Sequence, residues 1–299
     1  DGLKPPSMFL LPVDMPAGQE LGSSGFIRHG INYASVEFLM YANFFGSGGQ
    51  KTHLITSTSD QARRIRRYLD ETIIGPEQSE YGKDHLWLRR ECAAVGYYPP
   101  LKRELQTDDL IAISSLETGG GKLENGVEIT LDDDYFVFLE NGKEVARIST
   151  VISGLTTPLS LAPPRPLHRQ EITLQFIGGS DGFDPQGITT CFLAYLGTSV
   201  QTQATLFDTA AYLRLRLGNL GISPSQISEV VLSHLHEDHL AGLPELLLMG
   251  DHRVRLLTSD IIYESLLRVL SALMAISEKD VATLIEYFPL NPGQSVTID

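Results

Sequence analysis

Ser233-His234-Leu235-His236-Glu237-Asp238-His239 places three of the chain's eight histidines within six residues. The spacing is His-x-His-x-Asp-His. Upstream, Val230-Val231-Leu232 reads as the end of a buried strand, and downstream Leu240–Leu248 reads as a helix. At a strand end, residues i and i+2 point the same way, so His234 and His236 can converge on one ion. Asp238 and His239 then lie at the turn into the helix, within reach of a second ion. Imidazole and carboxylate are the donors that Zn²⁺ and Fe ions take. A carboxylate beside a metal-activated water can orient that water or accept its proton. His234, His236, Asp238 and His239 are therefore the candidate metal ligands, and Asp238 is also the candidate catalytic group.

The surrounding pattern is α/β. Glu171–Ile177, Thr190–Leu196 and Ala204–Phe207 read as strands, with the loop Gly178–Gly187 after the first. Thr209–Leu220 reads as a helix ending at Gly221. Ile227–Leu232 is the strand that leads into the motif. Leu240–Met249 is helical, Val254–Leu257 is a strand, and Asp260–Met274 is a helix. Strands with interposed helices predict a layered α/β sandwich.

Ahead of this lies a Pro-rich connector at 158–170, with Pro158, Pro163, Pro164 and Pro166 favouring an extended segment. It predicts an α+β accessory domain at 1–157 and a second domain at 171–299. In the first, His53–Thr58 reads as a strand and Asp60–Ile74 as a helix capped by Ser59 or Asp60. Asp108–Ser114, Val127–Leu131, Asp134–Leu139 and Glu144–Ile148 follow as strands, the last two joined through the hairpin signal Asn141-Gly142. Gly119-Gly120-Gly121 reads as a short flexible loop or turn, not a domain linker. Arg63, Arg64, Arg66 and Arg67 could bind phosphate, but a solvated helix face is the favoured reading. Phe26–Tyr33 could line a pocket or a domain interface.

The histidine motif resembles the signature of the metallo-β-lactamase fold superfamily. More of the chain agrees: Phe176-Ile177-Gly178-Gly179, Thr190-Cys191-Phe192-Leu193 and Leu206-Phe207-Asp208-Thr209. The order matches the first half of that family's αββα sandwich, from about Glu171 to the end of the chain. Ala210 stands where the family often has Gly. His-x-His resembles the hydrolase members rather than the flavodiiron branch. Gly242-Leu243-Pro244 resembles the branch of tRNA-processing and cyclic-nucleotide phosphodiesterases. The resemblance implies a dinuclear site holding two divalent metal ions, Zn²⁺ first with Fe or Mn as alternatives. It also implies hydrolysis by a metal-activated water, most naturally of a phosphodiester or small nucleotide. Asp208 is expected to orient a ligand or the motif loop rather than to bind metal itself. Glu237 is expected to face solvent or a structural partner.

The family's third histidine, bridging Asp and last histidine come from the second half of the fold. His252 lies too early to match them. Ser295–Asp299 reads as a strand cut in mid-element, so the domain is expected to continue past Asp299 and this stretch alone to hold metal weakly. Two rival readings remain: a di-iron redox or gas-sensing protein, and a scaffold with a vestigial site. Residues 1–157 resemble nothing nameable and could gate substrate or mediate homodimer formation.

Composition bounds these readings. The 299 residues carry 23 Lys+Arg against 37 Asp+Glu, a net charge of −14. Binding long nucleic acids rests on neutralising phosphates with Lys and Arg, so a small anionic substrate is favoured over a long polyanion. Cys92 and Cys191 cannot build a disulfide framework, and a cytoplasmic setting with reduced thiols is the simpler expectation. Cys191 reads as a core thiol. The most apolar stretch, Val230–Met249, is interrupted by His, acidic residues and Pro244, so no membrane span is expected.

Overall fold

A computed structural model describes residues 6–11, 34–76, 86–123, 125–150, 167–168, 170–180, 182, 189–198, 204–249, 253–290, 293 and 295. They belong to two units, one within residues 1–19 and 36–155, the other within 20–35 and 156–299. Most of the connector 158–170, the stretch Phe26–Tyr33, His252 and residues 296–299 lie outside the described residues.

The first unit opens with strand β1 (Met8–Leu10), helix α1 (Ala34–Gly46), strand β2 (Thr52–Thr56) and helix α2 (Ser59–Leu69). Helix α3 (Leu86–Gly96), the short strands β3 (Tyr97–Tyr98) and β4 (Arg103–Glu104), helix α4 (Thr107–Leu110) and strand β5 (Ile111–Ser115) follow. The parallel strands β1, β2 and β5 form one sheet, with Leu54, Ile55 and Ile111 buried. Helix α2 is capped by Thr58, whose hydroxyl accepts from Gln61 N, rather than by Ser59 or Asp60. The helical pattern expected to run to Ile74 changes at Leu69 into a five-residue π-turn, Asp70–Ile74. The strand expected from Asp108 begins only at Ile111. Asp109 accepts from Gln106 N in a capping box, which winds residues 107–110 into a helical turn first. The four arginines of α2 are all paired: Arg63 and Arg64 with Asp60, Arg66 with Asp70 and Asp108, and Arg67 with Glu71. They form a salt-bridged helix face.

Strands β6 (Val127–Asp132), β7 (Tyr135–Glu140) and β8 (Lys143–Ser149) make an antiparallel sheet. Asn141 and Gly142 both have positive φ, 51° and 74°, as a two-residue primed turn requires. Of the expected loop or turn, the turn is what forms, and at Gly120 and Gly121 it is tightly packed. A Cβ on Gly121 would stand 1.9 Å from the carbonyl oxygen of Ile129, whose own N–H donates to Gly121 O at 2.7 Å.

The second unit carries strands β9 (Ile172–Gly178), β10 (Cys191–Leu196), β11 (Ala204–Phe207), β12 (Ile227–Val231), β13 (Val254–Thr258) and β14 (Ile285–Pro289). They form a six-stranded sheet ordered β14-β13-β12-β11-β10-β9, parallel from β11 to β14 and antiparallel at β9 and β10. Its helices are α5 (Leu213–Asn219), α6 (Glu237–Leu240), α7 (Leu243–Met249), α8 (Asp260–Met274) and α9 (Glu278–Thr283). Register places Leu193, Leu206, Val230 and Leu256 in one row, each fully buried. Tyr287 ends that row, stacks on Tyr263 at 3.9 Å and donates its hydroxyl to Asp260, which fixes α8 on this face. The expected helix 209–220 starts late, at Leu213. Tyr212 holds φ 58° at its N-terminus, and Thr209 is engaged by the motif. Its end matches expectation, with Gly221 at φ 71°. The expected helix 240–249 is divided at Gly242, where a Cβ would meet Ala210 O at 2.5 Å and Leu213 Cβ at 2.6 Å. No helix among the described residues is long and apolar enough to cross a membrane.

Two stability predictions follow from this packing. Gly121→Ala should cost about 2–3 kcal/mol in urea denaturation through overpacking, whereas Gly46→Ala, with nothing within 4 Å, should be neutral or stabilising. Burial pushes the Glu245 carboxyl from the ordinary 4.5 up to about 7, with the Arg214 N–H and charge partly offsetting it. The folded state therefore holds this proton more tightly than the unfolded chain. Stability should fall as pH rises between about 4.5 and 7. Unfolding free energies measured across that window should show this slope flattened in Glu245→Gln.

Candidate metal centre

Strand β12 ends at Val231. Leu232 N donates to Leu257 O, and Thr258 Oγ1 donates to Leu232 O, so β13 holds the exit of the strand in place. The chain then leaves the sheet, and His236 caps the single turn of α6 that contains Asp238 and His239. Parallel β11 delivers Asp208 alongside, where its N–H donates to Val231 O. Asp208 has φ 56°, a left-handed conformation uncommon for a residue with a side chain.

That conformation directs the Asp208 carboxylate into the motif. Oδ1 accepts from Ser233 N at 2.9 Å, and both oxygens lie 2.9 Å from Ser233 Oγ. Oδ2 lies 2.8 Å from His239 Nδ1. The other His239 nitrogen, Nε2, lies 3.2 Å from Asp238 Oδ2. Ser233 Oγ also pairs with His234 Nδ1 at 2.9 Å. The backbone is held as firmly: Thr189 Oγ1 donates to Asp238 O, and Thr209 donates through both N and Oγ1 to His239 O.

The three imidazoles are brought together. His234 lies 4.8 Å from His236 and 4.0 Å from His239, between ring centroids. Their charge states diverge. Burial, reinforced by the charges of His239 and His236, lowers His234 to about 4. Burial also lowers His236, with the charge of Asp238 opposing it. Both rings are neutral at pH 7 and can offer a lone pair. Burial would lower His239 as well, but the carboxylates of Asp208 and Asp238 outweigh it and raise the ring to about 9. Burial works against ionised Asp238, yet its bond to His239 and the nearby imidazole charges hold it below the ordinary carboxylate range.

The donor chemistry fits a divalent ion: two neutral imidazoles, an ionised carboxylate, and a third imidazole that can exchange its proton for a metal. The set is incomplete, however. Among the described residues, no group of three or more His, Cys, Asp or Glu is arranged to hold a metal ion. His239 accounts for part of this, since carboxylates occupy both its nitrogens.

Sequence reasoning placed Asp208 correctly as a residue that orients its neighbours. It missed Ser233, Thr189 and Thr209, which show no signal beyond small polar side chains next to the motif. It also missed Gly182, where a Cβ would stand 2.7 Å from Asp238 Oδ2. This glycine belongs to the loop Gly178–Gly187 that follows β9, of which Asp181 and residues 183–187 lie outside the described residues. Of the two surroundings expected for Glu237, solvent or a structural partner, solvent is excluded: the residue is fully buried. Cys191 is a core thiol, pushed up to about 12 by burial, with Sγ against Asp208 O.

Replacing Asp208 with Ala removes the acceptor for Ser233 N, Ser233 Oγ and His239 Nδ1 together. We expect a loss of about 2–4 kcal/mol in urea denaturation, with His239 titrating well below 9 by NMR.

A family profile described as Anti-Pycsar protein Apyc1 matches residues 172–297. A curated protein called Ribonuclease Z, from Pyrobaculum aerophilum, is 42% identical over 43 residues, 14% of this chain and 15% of that protein. Among solved structures, a protein assigned to the metallo-beta-lactamases from Thermotoga maritima aligns at 18% identity and TM-score 0.28, covering 43% of this chain and 63% of its own. A long-form RNase Z from yeast aligns at 11% identity and TM-score 0.32, covering 94% and 45%. The chain thus spans only part of each relative, and overlays this loose bear on neither activity nor substrate. The second unit is an α/β fold, a mixed six-stranded sheet with the histidine motif between the end of β12 and α6.

Proposed function

We propose that the second unit is a metal-dependent hydrolase acting on a phosphodiester or small nucleotide-type substrate. The observation that carries the reading is the meeting of three imidazoles and Asp238 at one strand end, two of those rings held neutral by burial. His234 and His236 would hold one divalent ion, Asp238 and His239 a second. When bound, such ions supply Lewis-acid polarisation of a phosphoryl oxygen and a water of lowered pKa.

The chain's own residues do the rest. Asp208 fixes the His239 ring through Nδ1, leaving Nε2 as the nitrogen that faces Asp238 and a ligand. Asp238, ionised at neutral pH, can orient a water or accept its proton at Oδ2. Ser233 sets the His234 ring through Nδ1, which leaves Nε2 as its outward donor.

Substrate class rests on two supports. Gly242-Leu243-Pro244 resembles the phosphodiesterase branch, and the matched Ribonuclease Z is by name an enzyme of RNA phosphodiesters. The charge of −14 favours a small anion over a long polymer.

The test is zinc binding, followed by competition with a chelating dye, alongside hydrolysis of bis-p-nitrophenyl phosphate by wild type and His236→Ala. Since no three donors among the described residues are arranged to hold one ion, zinc binding should be weaker than in a closed structural site. It should weaken at least about tenfold further in His236→Ala, with turnover falling in parallel. Equal zinc uptake and equal turnover in the two proteins would instead support a vestigial site. Iron with a visible absorption band and no hydrolysis would support the redox reading.

A further inference from the structure

The connection between β9 and β10 meets Asp238 at two points. Its return arm reaches the main chain: Thr189 is fully buried, and its Oγ1 donates to Asp238 O at 2.7 Å. Its outgoing arm reaches the carboxylate. A Cβ on Gly182 would stand 2.7 Å from Asp238 Oδ2, 2.9 Å from Cγ and 3.4 Å from Oδ1, so the bare Cα lies directly against this group. The two arms are tied together at their roots, where Ser180 bridges Thr189 and Gly178 pairs with Cys191 in the sheet. Their spacing is therefore set by β9 and β10. The return arm also touches the other carboxylate residue of the centre, since Cys191 Sγ donates to Asp208 O at 3.3 Å.

We propose that Gly182 and Thr189 are positioning residues of the centre, which together keep the Asp238 carboxylate on the His239 ring. Left to itself, an aspartate side chain samples several staggered rotamers. Thr189 fixes the backbone from which this one springs, and Gly182 fills the space into which its carboxylate could swing. What remains is the orientation observed, with Oδ2 at 3.2 Å from His239 Nε2. Glycine most often serves a turn by its conformational freedom, but Gly182 has no left-handed φ that would require it. Its close approach to Asp238 is the constraint that excludes a side chain. An added methyl would meet the free end of a side chain, which is the softer partner. The carboxylate would therefore move off His239, while the contacts of Asp208 with Ser233 and His239 Nδ1, on the other side of the ring, would stay. Toward a metal, the inference rests on the reading of Asp238 and His239 as ligands. Toward the His239 ring it stands without metal.

The test compares Gly182→Ala with Gly179→Ala, a control in the same connection that has nothing within 4 Å and no left-handed φ. Both should keep the circular dichroism of the wild type. The metal-free whole chain is read first, by nitrogen-edited NMR of the His239 ring at one neutral pH. Wild type and Gly179→Ala should show both ring N–H groups protected from exchange, Nδ1–H donated to Asp208 and Nε2–H to Asp238. Gly182→Ala should keep the first signal and lose the second. Zinc affinity, by competition with a chelating dye, should fall about tenfold or more in Gly182→Ala and stay within about twofold in Gly179→Ala. Thr189 tests the other arm without touching a glycine, and decides the matter if Gly182→Ala fails to fold. Thr189→Val should lose the Nε2–H signal and weaken zinc by a similar factor, and Thr189→Ser, which keeps the hydroxyl, should restore both. Protected Nε2–H signals in Gly182→Ala and Thr189→Val alike, or a loss shared by Gly179→Ala, would overturn the proposal. A wild type that takes up no zinc would count against the hydrolase reading instead, and the ring signals would still decide this one.

Discussion

The carboxylate of Asp208 is the constraint on which the rest of the centre depends. It sits in a left-handed backbone conformation at the end of β11, and its two oxygens are shared between Ser233 and His239. Through Ser233 it acts on His234, and through His239 it acts on Asp238. One side chain thereby sets the loop between strand and helix, the facing nitrogen of one ring and the charge of another. A buried polar network of this kind is stable only when each member is satisfied, so the strain at Asp208 is balanced by the four close contacts it makes possible.

The same network divides four neighbouring groups into different electrostatic classes. His234 and His236 lie close together in a partly buried place and shed their protons. His239, one turn on, is flanked by two carboxylates and keeps its proton to about 9. Any cation entering the centre meets two ready lone pairs and one that must first lose a proton. Affinity should therefore rise with pH. The sheet repeats the theme of two environments made from one alternating pattern. Leu193, Leu206, Val230 and Leu256 form the helix-covered core, while the Phe176–Phe192–Phe207 stack lies on the opposite face.

Much of this was legible in the residues. Ala204–Phe207 and Asp260–Met274 match the observed elements residue for residue, because a short apolar run and a long amphipathic one admit few alternatives. Asn141-Gly142 fixed its hairpin for an equally local reason. What could not be read depends on contacts distant in sequence. The start of α5 is set by Thr209 binding the carbonyl of His239, thirty residues away. The break at Gly242 is set by the approach of Ala210 and Leu213. Glycine at positions 120 and 121 looks flexible in a string of letters, yet in the fold it leaves no room for a Cβ. In the centre, the motif announced His234, His236, Asp238 and His239, but not the threonines that hold its backbone. Strands β1 and β14 and helices α1, α3 and α9 carried too little periodicity to stand out.

The central claim is that imidazole and carboxylate at the end of β12 hold the metal. X-ray absorption at the zinc edge of the metal-loaded chain tests it most directly. The account predicts a shell of nitrogen and oxygen at about 2.0–2.1 Å with the scattering pattern of more than one imidazole and no sulfur. Zinc bound through sulfur at about 2.3 Å, which would point to the exposed Cys92, or zinc surrounded by water alone, would contradict it.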